Sequence, residues 1–303
     1  MQQARTGIFE RAVKKFYWTA KRQYKNELRH ADGARLALPI LVYTMGKVGS
    51  TSITRALNEN PEGASVYHVH FLTDYRLKQL EQARKPFFRT QYHRRITKTW
   101  EAQYVAELIR QNAGKRKFKV ISLVRDPVAR NIADYFQHLD LVETADNQLK
   151  ASSYWYNFEY TFDPDDIDVV IDRFFHHFDH TASLEFFDAE MKAVLKEDVY
   201  ATPFPKEKGY TIFSNDLADI LVLRLENLRE CAVPALEEFL NLRGVTVYNS
   251  NVGEQKKYSR LYTAFKQRIR FSEDYLERIY GSRMARHFYS DDELEKFREK
   301  WLG

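Results

Sequence analysis

Residues 39–52 read PILVYTMGKVGSTS, a continuous apolar run, a glycine-bearing loop and then hydroxyl residues that open a helix. This segment limits the fold more than any other. A run without apolar/polar alternation predicts a strand buried on both faces, which is how strands sit inside a parallel sheet. Parallel neighbours need long crossovers, usually helical, so the segment points to an α/β architecture.

The rest of the chain supplies the matching pieces. Strands are predicted at Pro39–Thr44, Ser65–Leu72, Phe118–Val124 and Asp219–Leu225, with a short local strand near Tyr210–Phe213. Helices are predicted over Thr51–Asn58, from Thr73-Asp74 onward, over 96–112, from Asp126-Pro127 to about Leu139, over Asp165–His180, Ala182–Lys196 and Pro234–Leu242, and from Tyr258 to the end. Pro127 falls at the first helical position, where its missing N–H costs little. Residues 38–303 are taken as one domain. Residues 1–37 form an extension whose apolar positions (Ile8, Phe9, Val13, Phe16, Tyr17, Ala20) are spaced for a basic amphipathic helix, one that packs on the domain or makes a peripheral contact with a membrane surface.

Charge is distributed unevenly. Residues 1–35 carry nine Lys/Arg against three Asp/Glu, residues 76–119 thirteen against three, and residues 140–198 four against fifteen. A basic zone beside a phosphate-type loop suits an anionic ligand. The single cysteine, Cys231, excludes an internal disulfide and a cysteine-based zinc site. No apolar run approaches the ~20 residues of a membrane span, and the first residues lack the pattern of a signal peptide. The expectation is a cytoplasmic protein, at most touching the inner face of the membrane.

Two segments carry chemistry. Met45-Gly46-Lys47-Val48-Gly49-Ser50-Thr51-Ser52 feeds a helix N-terminus, where unpaired amides and the positive dipole end favour an anion. Gly46 and Gly49 are expected to allow sharp turns; Lys47 adds charge and the three hydroxyls add donors. The loop departs from the nucleotide-hydrolase pattern G-x-x-x-x-G-K-[ST], because its Lys precedes the second Gly. The second segment, Val124-Arg125-Asp126-Pro127-Val128-Ala129-Arg130-Asn131, follows strand three and sets Arg125 at the sheet edge where α/β folds bind ligands. His68 and His70 share one face of strand two, and His70 is nearer that edge. An imidazole there is a candidate base for a hydroxyl. A tight capped turn, an Arg–Asp helix start and paired structural histidines explain the same residues without a ligand.

Taken together these segments resemble the P-loop sulfotransferases, which use 3'-phosphoadenosine 5'-phosphosulfate (PAPS). TMGKVGSTS resembles their 5'-phosphosulfate loop, VRDPVARNIADYF their 3'-phosphate strand and helix, ILVLRLENL (220–228) a later strand, and HVHFL (68–72) the position of their base. The run NVGEQKKYSRLYTAFKQRI and the segment ERIYGSRMARHFYSDDELEKF are similar to the capsular polysaccharide synthesis branch of bacterial sulfotransferase-like proteins. The resemblance covers about residues 38–300. It implies a P-loop-type three-layer α/β fold, with a central mainly parallel sheet flanked by helices and a helical C-terminal third.

The resemblance also implies roles. Lys47 would contact the sulfuryl group and the leaving oxygen. Gly46, Val48, Gly49, Ser50, Thr51 and Ser52 would join it around the 5'-phosphate. Arg125, helped by Asn131, would hold the 3'-phosphate; Lys256 and Lys257 would close over PAPS; His70 would be the base. The acceptor would be a carbohydrate or polysaccharide hydroxyl, with no metal and no nucleic acid. The family has a Ser eight residues after its Arg, where this chain has Ala133. That departure keeps open a non-catalytic relative that binds a nucleotide or an acidic glycan. A P-loop kinase fits least, because the Lys is misplaced.

Overall fold

The protein was analysed as a computed structural model, which describes residues 38–60, 65–82, 92–143, 149–153, 158–163, 166–247 and 259–302. The predicted amphipathic helix of the N-terminal extension and the pair Lys256/Lys257 lie outside them.

Five strands form the main sheet: β1 (Ile40–Tyr43), β2 (Val66–Val69), β3 (Phe118–Val124), β7 (Tyr210–Ser214) and β8 (Ala218–Arg224), in the order β2-β1-β3-β8-β7. The first four are mutually parallel, and β7 adds antiparallel to β8 as a hairpin. The fold is thus α/β, a mostly parallel sheet flanked by helices, as the uninterrupted apolar runs require. All four residues of β1 are buried, as are six of the seven in β3.

Between β1 and β2 runs α1 (Ser50–Glu59); between β2 and β3 run α2 (Asp74–Gln82) and α3 (Tyr92–Asn112). The chain moves one way from β1 to β2 and the opposite way from β2 to β3. Right-handed crossovers therefore put α1 on one face of the sheet and α2–α3 on the other. Such a reversal opens a crevice at the carboxyl ends of β1 and β3.

After β3, α4 (Pro127–Gln137) leads into a separate antiparallel sheet of β4 (Asp140–Glu143), β5 (Leu149–Ser153) and β6 (Phe158–Phe162). The sequence reading assigned no strands here. The clue was the period-two aromatic pattern of FEYTF, in which Thr161 is exposed and Phe162 buried. Next come α5 (Ile167–His177) and, where an α-helix was predicted over Ala182–Lys196, turns, a π-helix at Phe187–Lys192 and a short α-helical end at Ala193–Leu195. Helix α6 (Leu228–Leu240) starts six residues before the predicted Pro234, because Cys231, Ala232, Ala235, Leu236 and Phe239 form one buried stripe across that proline. The C-terminal helices α7 (Ser259–Arg268), α8 (Glu273–Tyr280), α9 (Arg283–Phe288) and α10 (Asp291–Trp301) follow in short steps. Ser272, Ser282 and Ser290 cap the last three with their side chains. A single buried apolar cluster runs from Ile40 to Trp301. Among the described residues, no helix is long and apolar enough to cross a membrane.

Candidate active site

The loop after β1 is part buried and part exposed. Met45 and Val48 are buried, while Gly46, Lys47 and Gly49 keep partial exposure. At its root Thr44 is fully buried, and its Oγ1 lies 3.2 Å from the Leu123 carbonyl oxygen, joining β1 to β3 just past the last ladder pair.

The left-handed residues are Lys47 (φ 71°) and Gly49 (φ 86°). Gly46 lies in the turn, as expected, but without a left-handed φ. A Cβ there would lie 3.4 Å from Asp134 Oδ1, an ordinary van der Waals contact, so space alone does not require glycine at this position. At Gly49 the left-handed φ is what asks for glycine; a Cβ there would meet Leu225 Cδ1 at 2.6 Å, but that methyl ends a half-buried side chain that can swing away. Lys47 has no such licence. A lysine held in a left-handed conformation is a strained feature of the kind that collects at functional sites.

Gly49 also leaves the start of α1 without a side-chain cap, and the first turn contains no acid. The helix therefore presents uncompensated amide dipoles, the arrangement an anion favours. Ser50 and Ser52 are buried and Thr51 is exposed, so the three hydroxyls are not equivalent.

Helix α4 supplies the opposite wall. Asp126 caps it, accepting from Val128 N at 3.0 Å. Asp126 also accepts from the Tyr280 hydroxyl (2.9 Å) and the Trp301 indole (3.3 Å), which lock the C-terminal helices onto this turn. Arg125, half-buried, donates from one terminal nitrogen to the Lys47 carbonyl at 3.0 Å. Arg130 donates from Nε to the Gly46 carbonyl at 3.1 Å and pairs with Asp134 at 3.1 Å. Two guanidiniums thus each hold one of two successive loop carbonyls. In a trans peptide the next N–H points the other way, so the Lys47 and Val48 amides face away from the arginines. Arg130 was not among the predicted site residues; its spacing to Asp134 was the available signal.

Lys47 Nζ donates to Gln137 Oε1 at 2.7 Å, at the last turn of α4. The next residue, His138, bonds the Asp134 carbonyl through Nδ1 at 2.9 Å. Burial pushes its pKa down, and Lys47 and Arg130 add to that shift while Asp134 opposes it. Asn131, expected to help hold a phosphate, is fully buried. It donates to the His180 carbonyl (2.9 Å) and accepts from Ser183 (3.3 Å), tying α4 to the segment after α5. Ala133 is half-buried on the same helix.

His70 follows β2 directly. Its ring meets that of His68 edge-on at 4.7 Å, as the strand alternation predicts. His70 Nδ1 lies 2.6 Å from the carbonyl oxygen of Thr44, the root of the loop. A carbonyl only accepts, so Nδ1 carries the proton and neutral His70 holds its lone pair on Nε2. The structure therefore brings the Lys47 loop, Arg125 and His70 to one edge of the sheet. Among the described residues, no group of three or more His, Cys, Asp or Glu side chains is placed to hold a metal ion.

These features define an α/β protein with an anion-suited loop at the carboxyl edge of its sheet and a histidine of fixed tautomer beside it. Residues 165–290 match a family model described as "Putative capsular polysaccharide synthesis protein". The match begins after α4, so the loop, His70 and Arg125 lie outside it. No curated protein and no solved structure matches the chain.

Proposed function

We propose that the protein is a sulfotransferase that moves the sulfuryl group of PAPS to a carbohydrate hydroxyl during capsular polysaccharide synthesis. The observation that carries this reading is the His70 Nδ1 contact with Thr44, which turns an Nε2 lone pair into a base at the root of the Lys47 loop. The match of residues 165–290 supports the capsular setting.

In this reading the acceptor oxygen attacks sulfur in line. The new O–S bond forms as the bond from sulfur to the 5'-phosphate oxygen breaks, and its electron pair leaves on the bisphosphate. The acceptor proton passes to His70 Nε2. Lys47 and the amides at the start of α1 meet the charge that grows on the departing phosphate, the kind of stabilisation whose loss costs ~10²–10³ in turnover. Arg125 holds the loop in shape and offers its remaining donors to the 3'-phosphate.

Titration calorimetry with 3'-phosphoadenosine 5'-phosphate (PAP) against ADP tests the reading. Selective uptake of PAP, followed by transfer of labelled sulfate from PAPS to a bacterial polysaccharide, is the expected result. Equal affinity for ADP removes it. One observation favours a second reading, a non-catalytic binder: Asn131 is engaged in packing and position 133 has no hydroxyl, so the 3'-phosphate grip rests on fewer groups. Binding of PAP without transfer to any acceptor selects that alternative.

A further inference from the structure

We infer that Glu190 is a positioning residue that fixes the tautomer and location of His70 by holding both sides of its contact with Thr44. The inference rests on the proposed function for its catalytic meaning, though not for its structural content.

Glu190 lies in the π-helix Phe187–Lys192, far in sequence from the loop, and is buried. An acid on a helix defaults to solvent, so a reading of LEFFDAEMKAVL passes over it. Short π segments are uncommon and often mark functional positions. Its carboxylate collects four contacts from two separate strands' ends. Oε2 accepts from the Tyr43 hydroxyl at 2.5 Å, from Leu72 N at 2.8 Å and from Thr73 N at 3.2 Å. Oε1 takes the Thr73 hydroxyl at 2.6 Å.

The pattern matters because of where these partners sit. Tyr43 is the residue before Thr44, whose carbonyl holds His70. Leu72 and Thr73 are two and three residues after His70. One carboxylate therefore clamps the acceptor side and the donor side of the 2.6 Å His70–Thr44 contact. Burial, then the charge and hydrogen bond of Glu190, drive the Tyr43 pKa well up, so its hydroxyl stays a donor. Without the clamp the turn after β2 loses the acceptor for two amides, and the His70 ring is free to exchange its proton between nitrogens. Glu190 also lies within the matched segment 165–290, so it joins that segment to chemistry that lies outside it.

Glu190→Gln tests this, because it keeps the shape while removing the charge and one acceptor. The readout is the pair of imidazole nitrogen resonances of His70 in ¹⁵N-histidine-labelled protein at pH 8.5, assigned by their loss in His70→Gln. Wild type is expected to show a protonated Nδ1 and an unprotonated Nε2; Glu190→Gln is expected to move both toward averaged values. Tyr43→Phe combined with Thr73→Val repeats the test if Glu190→Gln does not fold. A folded variant with the wild-type resonances overturns the inference.

Turnover gives the second readout. Glu190→Gln is expected to lower kcat ~10²-fold, the size of an ~1 Å misplacement, with PAP affinity unchanged. In a His70→Ala background the same change should cost no more than about twofold, since a residue acting only through His70 has nothing left to position. Additive losses overturn it. If His70→Ala is fully active while Glu190→Gln still scrambles the tautomer, the proposed base fails and the clamp stands. If His70→Ala is inactive and the tautomer is untouched, the clamp fails and the base stands.

Discussion

Lys47 offers a test in which stability and activity part company. Its φ of 71° is left-handed, where a residue with a Cβ is disfavoured by about 1–2 kcal/mol. Glycine escapes that penalty but adds about 0.4–1 kcal/mol of unfolded-state freedom that folding must overcome. Lys47→Ala and Lys47→Gly lose the same contact with Gln137 Oε1. Their difference isolates the backbone, and the glycine variant should be the more stable by about 0.8 kcal/mol. For a chain of this size that is a Tm gap of about 1 °C. Both variants should lose transfer by ~10²–10³, the cost of a missing charge contact at the departing phosphate. Calorimetric melting and a labelled-sulfate transfer assay on the same preparations check both halves. Equal stability of the two variants would refute the strained loop. Activity above about a tenth of wild type would refute the charge contact, given the loss expected for such a group.

Other perturbations probe the neighbouring elements. His70→Ala should leave PAP affinity intact and lower transfer ~10²–10⁴-fold; parallel calorimetry and rate measurements decide, and a loss of binding would make His70 a ligand contact. Gly49→Ala should destabilise by about 1–3 kcal/mol, the cost of a side chain at a left-handed φ, with Leu225 Cδ1 moving aside; a Tm within a degree of wild type would contradict that geometry. Ala133→Ser should tighten PAP binding by about 1.5–3 kcal/mol if its hydroxyl reaches the phosphate; unchanged affinity would mean that position 133 faces elsewhere. Burial lowers the pKa of His138, His180 and His287 below the ordinary 6.5. The unfolded chain then binds more protons as pH falls, so the stability these groups contribute is present above about pH 6.5 and drains away below it. Tm measured from pH 8 to pH 5 should fall across that window, and a flat profile would show that these rings are hydrated.

Much of the fold was legible because the strongest signals are local. The runs ILVY, FKVISLV and DILVLR are apolar at every step or nearly so, and only a strand buried on both faces uses such a run. MGKVGSTS and RDPV are short-range punctuation that acts through a residue's own backbone. These alone determined an α/β domain with a loop, a histidine and an arginine at one sheet edge. The less legible parts depend on long-range partners. Asn131 looked available and is buried, because His180, 49 residues away, offers its carbonyl. Arg130 was given no role of its own and grips the Gly46 carbonyl. The left-handed φ falls on Lys47 rather than on Gly46, which residue type alone does not reveal. The clamp of Glu190 on Tyr43, Leu72 and Thr73 bridges more than a hundred residues. A sequence displays which groups can bond, but a buried carboxylate chooses among distant donors only once the chain has closed around it, and that choice belongs to the tertiary structure.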